Sequence, residues 1–252
     1  FYILQDIEDV ITRAKETGVK AFISVTEEVK EFERVIQLSK SYPALVSPCL
    51  GIHPIQKWGS QDQHSVRLED LEPALPFFQK YRDEIVAVGE IGLDYTPWYA
   101  PDAQHHEEQL RVFRKQVQIA KELDLPVNVH SRSAAAITIA ILKEQGWDAL
   151  SFHSYLKSSG LKNLITAKVL YDLPKLICKK KYRVKLIKQI PMEHICLETD
   201  SPALGLHKEA RNEPKNIQIS CQFIAKVKGI LPEKVMEVTT HNAFRLFPRI
   251  QK

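Results

Sequence analysis

The hydrophobic pattern of the chain predicts an α/β fold of alternating strands and helices, best matched by a (β/α)8 barrel. Three observations carry that expectation. Short, near-continuous apolar runs recur along the sequence, and the stretches between them space apolar residues three and four apart. Strands buried on both faces of a parallel sheet produce the first pattern, and helices lying on that sheet produce the second. The length of 252 residues then matches one barrel. An open doubly wound sheet is the alternative, weakened because no Gly-x-Gly-x-x-Gly or Walker-type loop is present.

The elements follow in order. A helical pattern over residues 2–17 places Leu4, Ile7, Val10, Ile11 and Ala14 on one face. A strand-like run at 21–25 precedes a helix marked by Phe32, Val35, Ile36 and Leu38. Further runs occupy 46–52 and 85–91, and a long amphipathic helix through Leu110, Phe113, Val117, Ala120 and Leu123 leads to a run at 126–130. Residues 134–142 form the longest apolar stretch, closed by Lys143; this is far short of the ~18 residues of a membrane span and reads as a buried helix. Strand-like runs at 149–153 and 194–198 complete the series, with a weaker one at 167–171. No repeat or low-complexity linker interrupts it, so residues 1–252 are expected to form a single domain. The count reaches seven strands, behind a leading helix and without an initiator Met. The expected barrel therefore lacks its first strand in this chain, the natural N-terminus lying upstream.

Composition narrows the class. The chain is 44% hydrophobic and 26% charged, enough apolar residue for a sizeable core and too much for a disordered or collagenous protein. Cys49, Cys178, Cys196 and Cys221 are scattered without Cys-x-x-Cys spacing, which fits reduced thiols inside the cell, in nucleus or cytoplasm, and no secretory pattern opens the chain. The net charge of +4 is unevenly placed: residues 154–188 hold ten Lys/Arg against Asp172 alone, leaving the remainder net negative. A polyanionic partner suits that segment, and a solvated helix face explains it equally well.

Barrel active sites are built where strands end. The strand runs deliver Gly51-Ile52-His53-Pro54, Gly89-Glu90-Ile91-Gly92-Leu93-Asp94, His130, His153 and Glu198-Thr199-Asp200-Ser201-Pro202 to those ends. Glu90, His130, His153 and Asp200 thereby converge as a mixed nitrogen and oxygen site for one or two divalent ions, Mg2+, Mn2+ or Zn2+. Such an ion polarises a phosphoryl or ester oxygen and lowers the pKa of bound water. Ser65, Ser131 and Ser154 lack a nucleophile-elbow Gly-x-Ser-x-Gly, which argues against a serine hydrolase. His64, His105, His106, His194, His207 and His241 lie in surface or helix-end contexts and read as structural.

These motifs resemble those of the TatD-type metal-dependent deoxyribonucleases. Pro126-Val127-Asn128-Val129-His130-Ser131-Arg132-Ser133-Ala134 is similar to one family signature, departing at Ala136 where an acid usually closes it. Ile195-Cys196-Leu197-Glu198-Thr199-Asp200-Ser201-Pro202-Ala203-Leu204 fits another throughout, and Thr240-His241-Asn242-Ala243-Phe244-Arg245-Leu246-Phe247 is family-like. The resemblance implies a metal-dependent hydrolase barrel that cuts DNA phosphodiesters, typically from a 3′ end, with apurinic-site cleavage in some members. It implies Glu90 as a metal-bridging carboxylate, His130 and His153 as ligands, and Asp200 as a ligand that orients or deprotonates the attacking water. His53 would steady the scissile phosphate. Arg132 is either a phosphate contact or a salt-bridge partner at the barrel mouth. The family's Asp-x-His-x-His strand is absent, and the sequence after His153 departs from the family pattern where the basic segment begins. An amide or ester hydrolase on the same barrel, and a catalytically silent nucleic-acid binder, are the competing readings. DNA is the expected partner, with no membrane and no obligate protein partner.

Overall fold

Residues 46–50 are buried at every position, as a strand covered on both faces must be. In the computed structural model they form β2 of a series numbered in chain order. The strands are β1 (Phe22–Val25), β2 (Val46–Leu50), β3 (Ile55–Trp58), β4 (Asp62–Ser65), β5 (Ala87–Asp94), β6 (Val127–Arg132) and β7 (Phe152–Ser154). The structure describes residues 6–58, 62–147, 152–154, 180–205, 207 and 210–250, without the side chains at 58, 62, 152–154, 180–183 and 186. Among the described residues a five-stranded sheet runs in the order β1-β2-β5-β6-β7. Every neighbouring pair in it is parallel. Parallel strands need crossovers, and helices supply them, which makes the sheet a run of β/α units of an incomplete (β/α)8 barrel. The expected strands at 21–25, 46–52, 85–91 and 126–130 appear with ends that differ by at most three residues, and of the run at 149–153 the described residues 152 and 153 are strand.

Contacts divide the chain into two compact units, Ala21–Thr166 with Phe244–Lys252, and Phe1–Lys20 with Ala167–Ala243. The first holds the sheet, with α2 (Phe32–Ser41), α3 (Leu68–Leu71), α4 (Leu75–Lys80), α5 (Ala103–Glu122) and α6 (Ala135–Glu144). Its core packs Phe32, Ile36 and Phe78 with Leu50, Val88, Ile91, Phe113, Val117 and Val129. Phe32 meets Phe77 and Phe78 edge-on, ring centres 5.7 and 5.9 Å apart. Such pairs contribute about 0.5–1.5 kcal/mol beyond the area they bury.

The longest helix, α5, starts where Asp102 accepts the amide of His105, satisfying one of the orphan donors of its first turn. Its buried face carries two glutamines seven positions apart, two turns along the same side. Gln116 accepts the Ile52 amide at 2.8 Å and donates to the Ile52 carbonyl at 3.0 Å. Gln109 likewise accepts the Asp94 amide at 2.8 Å and donates to the Asp94 carbonyl at 2.9 Å. Each side-chain amide thus replaces a ladder partner at a strand end, where a buried peptide group would otherwise lack one.

The second unit holds α1 (Ile7–Glu16), α7 (Lys180–Gln189), α8 (Ile217–Lys228) and the greater part of α9 (Pro232–Leu246). Ile187, Ile195, Cys221, Ile224 and Val235 form its core. Gly229 ends α8 in the left-handed conformation that a C-terminal cap favours. Arg13 grips Glu213 through two bonds of 2.8 and 2.9 Å, and Arg211 grips Asp6 similarly.

Two expectations need revision. The run at 194–198 forms no strand: a short 3-10 turn at Met192–His194 precedes irregular chain, and the Asn242 side-chain amide takes the Met192 and Ile195 carbonyls that a ladder would use. The β3–β4 hairpin was not anticipated, because neither arm alternates apolar and polar residues. The weaker strand at 167–171 and most of the basic segment 154–188 lie outside the described residues. Within α7, Ile187 is buried while Lys185 and Lys188 are exposed.

Glu33 on α2 joins that helix to the end of α4, accepting from Lys80 at 2.6 Å and from the Tyr81 hydroxyl at 2.5 Å. The hydrogen bond from Lys80 and then that from Tyr81 hold its carboxyl below the usual range. A depressed acid stabilises the fold above its unfolded pKa, and that contribution disappears as pH falls through the folded value. Glu33→Gln is expected to lower Tm by about 1–2 °C at pH 7, in thermal unfolding followed by circular dichroism, and to match the wild type in strong acid.

Candidate metal centre

The site is built at the C-terminal ends of β2, β5 and β6. Glu90 and Asp94 lie four apart on β5, hence on one face of the strand, while Ile91 and Leu93 on the other face enter the core. Gly92 between them has φ of +145°, open to glycine alone, and a Cβ there would stand 1.9 Å from the His130 carbonyl. Gly89 is equally constrained by contact: its Cβ would meet that of Asn128 at 2.5 Å. The two glycines let β6 approach β5 closely enough to bring His130 between the two carboxylates.

His130 is buried, its Nδ1 3.3 Å from Glu90 Oε1 and its Nε2 3.0 Å from Asp94 Oδ2. Burial opposes a charge on this ring, yet the hydrogen bonds to Asp94 and then Glu90 outweigh it and push its pKa up to about 9. Asp94 is itself buried and is held by both the amide and the hydroxyl of Thr96. Burial pulls its carboxyl upward, but the bonds from His130 and Thr96 bring it down to about 2. Arg132 Nη1 approaches the same carboxylate at 3.5 Å, with 45% of its side chain exposed. The salt-bridge contact expected of Arg132 is therefore present, and its exposed part faces solvent.

His53, three residues beyond β2, packs edge-on against His130 with ring centres 4.5 Å apart. Its Nδ1 lies 3.0 Å from the Ile55 amide and 3.1 Å from the Ile55 carbonyl, so either tautomer finds a backbone partner. Burial, and then the charge of His130, lower its pKa. A neutral imidazole is the form that ligates metal, so a cation held here would have to displace the proton shared between His130 and Glu90.

Among the described residues, one ligand atom each from His53, Glu90 and His130 lie within 4.8 Å of one another, close enough for a single cation. This donor set of two imidazoles and a carboxylate fits Zn2+ and Mn2+ readily, and Mg2+ with water completing its shell. The surroundings fit as well. Asp94 behind His130, and the Ile55 carbonyl behind His53, are the acceptors that commonly fix a ligating ring. Sequence reasoning quoted Asp94 within its motif but missed this role; the signal available was its position at the same strand end as Glu90.

The other expected residues stand as follows. His153 on β7 pairs in register with Asn128 on β6, and its side chain lies outside the described residues. Asp200 belongs to the second unit, exposed and with φ of 53°. Asn212 holds the loop around it, donating from its side chain to the Thr199 carbonyl and from its backbone to the Pro202 carbonyl at 3.0 Å. Thr199 and Ser201 hydroxyls bond across Asp200 at 2.8 Å. Left-handed backbone at a non-glycine residue carries strain, and this one is held from both sides.

A parallel β/α sheet with a His/Glu/His cluster at its strand ends defines a metal-dependent hydrolase of the barrel class. Residues 2–248 match the family model described as TatD related DNase, and the chain belongs to that family. Danio rerio tatdn3 is 57% identical over 247 residues, 98% of this chain and 92% of the relative. A Homo sapiens relative, Deoxyribonuclease TATDN3, is 47% identical over 248 residues, 98% of this chain and 90% of its own. Among solved structures, the Escherichia coli TatD homolog YJJV superposes with a TM-score of 0.79 at 24% identity, covering 96% of this chain and 92% of that one, which establishes the shared fold. No helix among the described residues is long and apolar enough to cross a membrane.

Removing the carboxylate behind His130 leaves the ring free to turn. Asp94→Asn is expected to weaken Mn2+ binding about 10- to 100-fold in calorimetric titration while the circular dichroism spectrum is preserved. An unchanged affinity in a folded variant would mean that His130 does not ligate through this arrangement.

Proposed function

We propose that the chain hydrolyses phosphodiester bonds of DNA with the aid of one or two divalent cations, releasing nucleotides from a 3′ end and also cutting at apurinic sites. The observation that carries this reading is the His53–Glu90–His130 cluster at the strand ends of a TatD-family chain. The names of relatives support it: the human one is called a deoxyribonuclease, and a Bacillus subtilis relative, 29% identical, a metal-dependent hydrolase.

A bound divalent cation supplies charge stabilisation at the phosphoryl oxygen and lowers the pKa of water beside it. In this reading His53, Glu90 and His130 would hold the cation, and His153 and Asp200 keep the ligand roles that the family resemblance implies for them. His53 changes role from the phosphate contact first expected, because its ring stands among the donor atoms. Asp94 fixes His130 through Nε2 and keeps its second carboxylate oxygen on Thr96. Asp200 orients the attacking water and takes its proton, and the exposed part of the Arg132 guanidinium engages a non-bridging phosphate oxygen. Intracellular residence, in nucleus or cytoplasm, belongs to the same reading and is favoured by the scattered spacing of Cys49, Cys178, Cys196 and Cys221.

The test is release of nucleotides from 3′-labelled single-stranded DNA with Mg2+ or Mn2+, run beside Asp200→Asn and Glu90→Gln. The wild type is expected to cut only with metal, and each variant to lose at least ~100-fold in kcat/KM. Cleavage of neutral amides or esters without cleavage of DNA would instead establish the other hydrolase reading. Metal-independent DNA binding without cleavage would establish the silent binder.

A further inference from the structure

The loop after β5 presents an aromatic side chain that the metal centre does not use. Trp98 is 74% exposed, whereas nearly every other part of residues 94–100 is tied down. Thr96 bonds to Asp94 through its amide and hydroxyl, and the Tyr95 amide donates to the Arg132 carbonyl at 2.9 Å. The Tyr99 and Ala100 amides both donate to the Thr96 carbonyl at 2.9 Å, closing the loop on itself. Tyr95 stacks on His106 with ring centres 3.8 Å apart, and the Tyr99 hydroxyl bonds to Gln63 on β4. Tyr99 meets Trp98 at 64°, ring centres 5.9 Å apart, an edge contact rather than a stack.

Other large apolar side chains are exposed among the described residues, at Leu68, Ile137, Leu231 and Met236. Trp98 differs in standing on a strand-end loop that also carries part of the site. It lies four positions after Asp94, so their Cα atoms are at most about 14 Å apart. That is the range of a nucleotide neighbouring the one under attack. A rigidly mounted aromatic loses little freedom on binding, and every nucleobase offers a face to stack on it.

We propose that Trp98 is a stacking platform for an unpaired base of a DNA strand whose phosphate lies at the metal centre, giving the enzyme a preference for single-stranded ends. This rests on the DNA reading above. A base in a duplex is stacked on its own neighbours and does not reach the indole without being displaced, whereas a base in a single strand does.

The test compares wild type, Trp98→Ala and Trp98→Phe as intact chains with Mn2+. The substrates are 3′-labelled single-stranded DNA and the same strand carrying 5,6-dihydrothymidine, whose base is not planar, next to the cleaved bond. Trp98→Ala is expected to raise KM on the normal strand about tenfold with kcat nearly unchanged, and Trp98→Phe to recover most of the loss. The non-planar base should cost the wild type a similar factor and cost Trp98→Ala nothing further, a coupling that a purely structural role would not produce. A second readout uses chelated protein and a strand with 2-aminopurine at that position: its fluorescence should be quenched on binding wild type and not on binding Trp98→Ala. Metal-dependent cleavage with KM and quenching indifferent to Trp98 would overturn the stacking and leave the DNA reading standing. No metal-dependent cleavage by the wild type would overturn both. A change in sedimentation on substitution, with KM unchanged, would assign Trp98 to contacts between copies and overturn the proposal.

Discussion

A buried imidazole hydrogen-bonded between two carboxylates is the constraint around which the strand ends are arranged. Burial alone would drive the proton off His130, and the bonds to Asp94 and Glu90 reverse that outcome. The reversal holds only at hydrogen-bond distance, so β5 and β6 must lie closer than ordinary side chains permit. Gly89 and Gly92 satisfy that requirement, each at a position where a Cβ would strike β6. Asp94 then needs its own support, which Thr96 provides at the carboxylate and Gln109 at the backbone. Each layer outward from His130 exists because the layer inside it is polar and dry.

Much of this was legible in the sequence. Continuous apolar runs identified the strands, and placing His53, Glu90, His130 and Asp94 at strand ends required only the pattern of a parallel sheet. The run at 194–198 shows where the method fails: Ile195, Cys196 and Leu197 are apolar and strand-like, but the Asn242 side chain occupies the carbonyl a neighbouring strand would need. Burial of Ile195 and Cys196 satisfies their apolarity without any ladder. The hairpin of β3 and β4 failed in the opposite sense, since its backbone pairs without an apolar period to announce it. The roles of Asp94 and of the two glutamines of α5 are not legible in the sequence, for a common reason. Their roles consist of hydrogen bonds to residues far along the chain, and no local pattern encodes a partner.

The second unit offers a comparable arrangement at smaller scale. Asp200 sits in left-handed backbone between Thr199 and Ser201, whose hydroxyls bond to each other, and Asn212 spans the turn from Thr199 to Pro202. One asparagine uses both its backbone and its side chain to hold the loop, while its Oδ1 accepts the Glu213 amide at 2.9 Å and the Asn216 side chain at 2.8 Å. An aspartate presented so firmly and yet exposed is shaped for a task other than packing.

The glutamine clamps of α5 have a consequence for how the protein opens. Peptide groups at Ile52 and Asp94 are hydrogen-bonded to a helix side chain, not to a neighbouring strand, and one helix serves both. Undocking α5 therefore exposes two strand ends at once, the one leading to His53 and the one carrying Asp94. Amide protons at these two positions should accordingly exchange with solvent in the same opening event, although they lie 42 positions apart in the chain. One helix thereby couples the two strand ends that frame the metal centre.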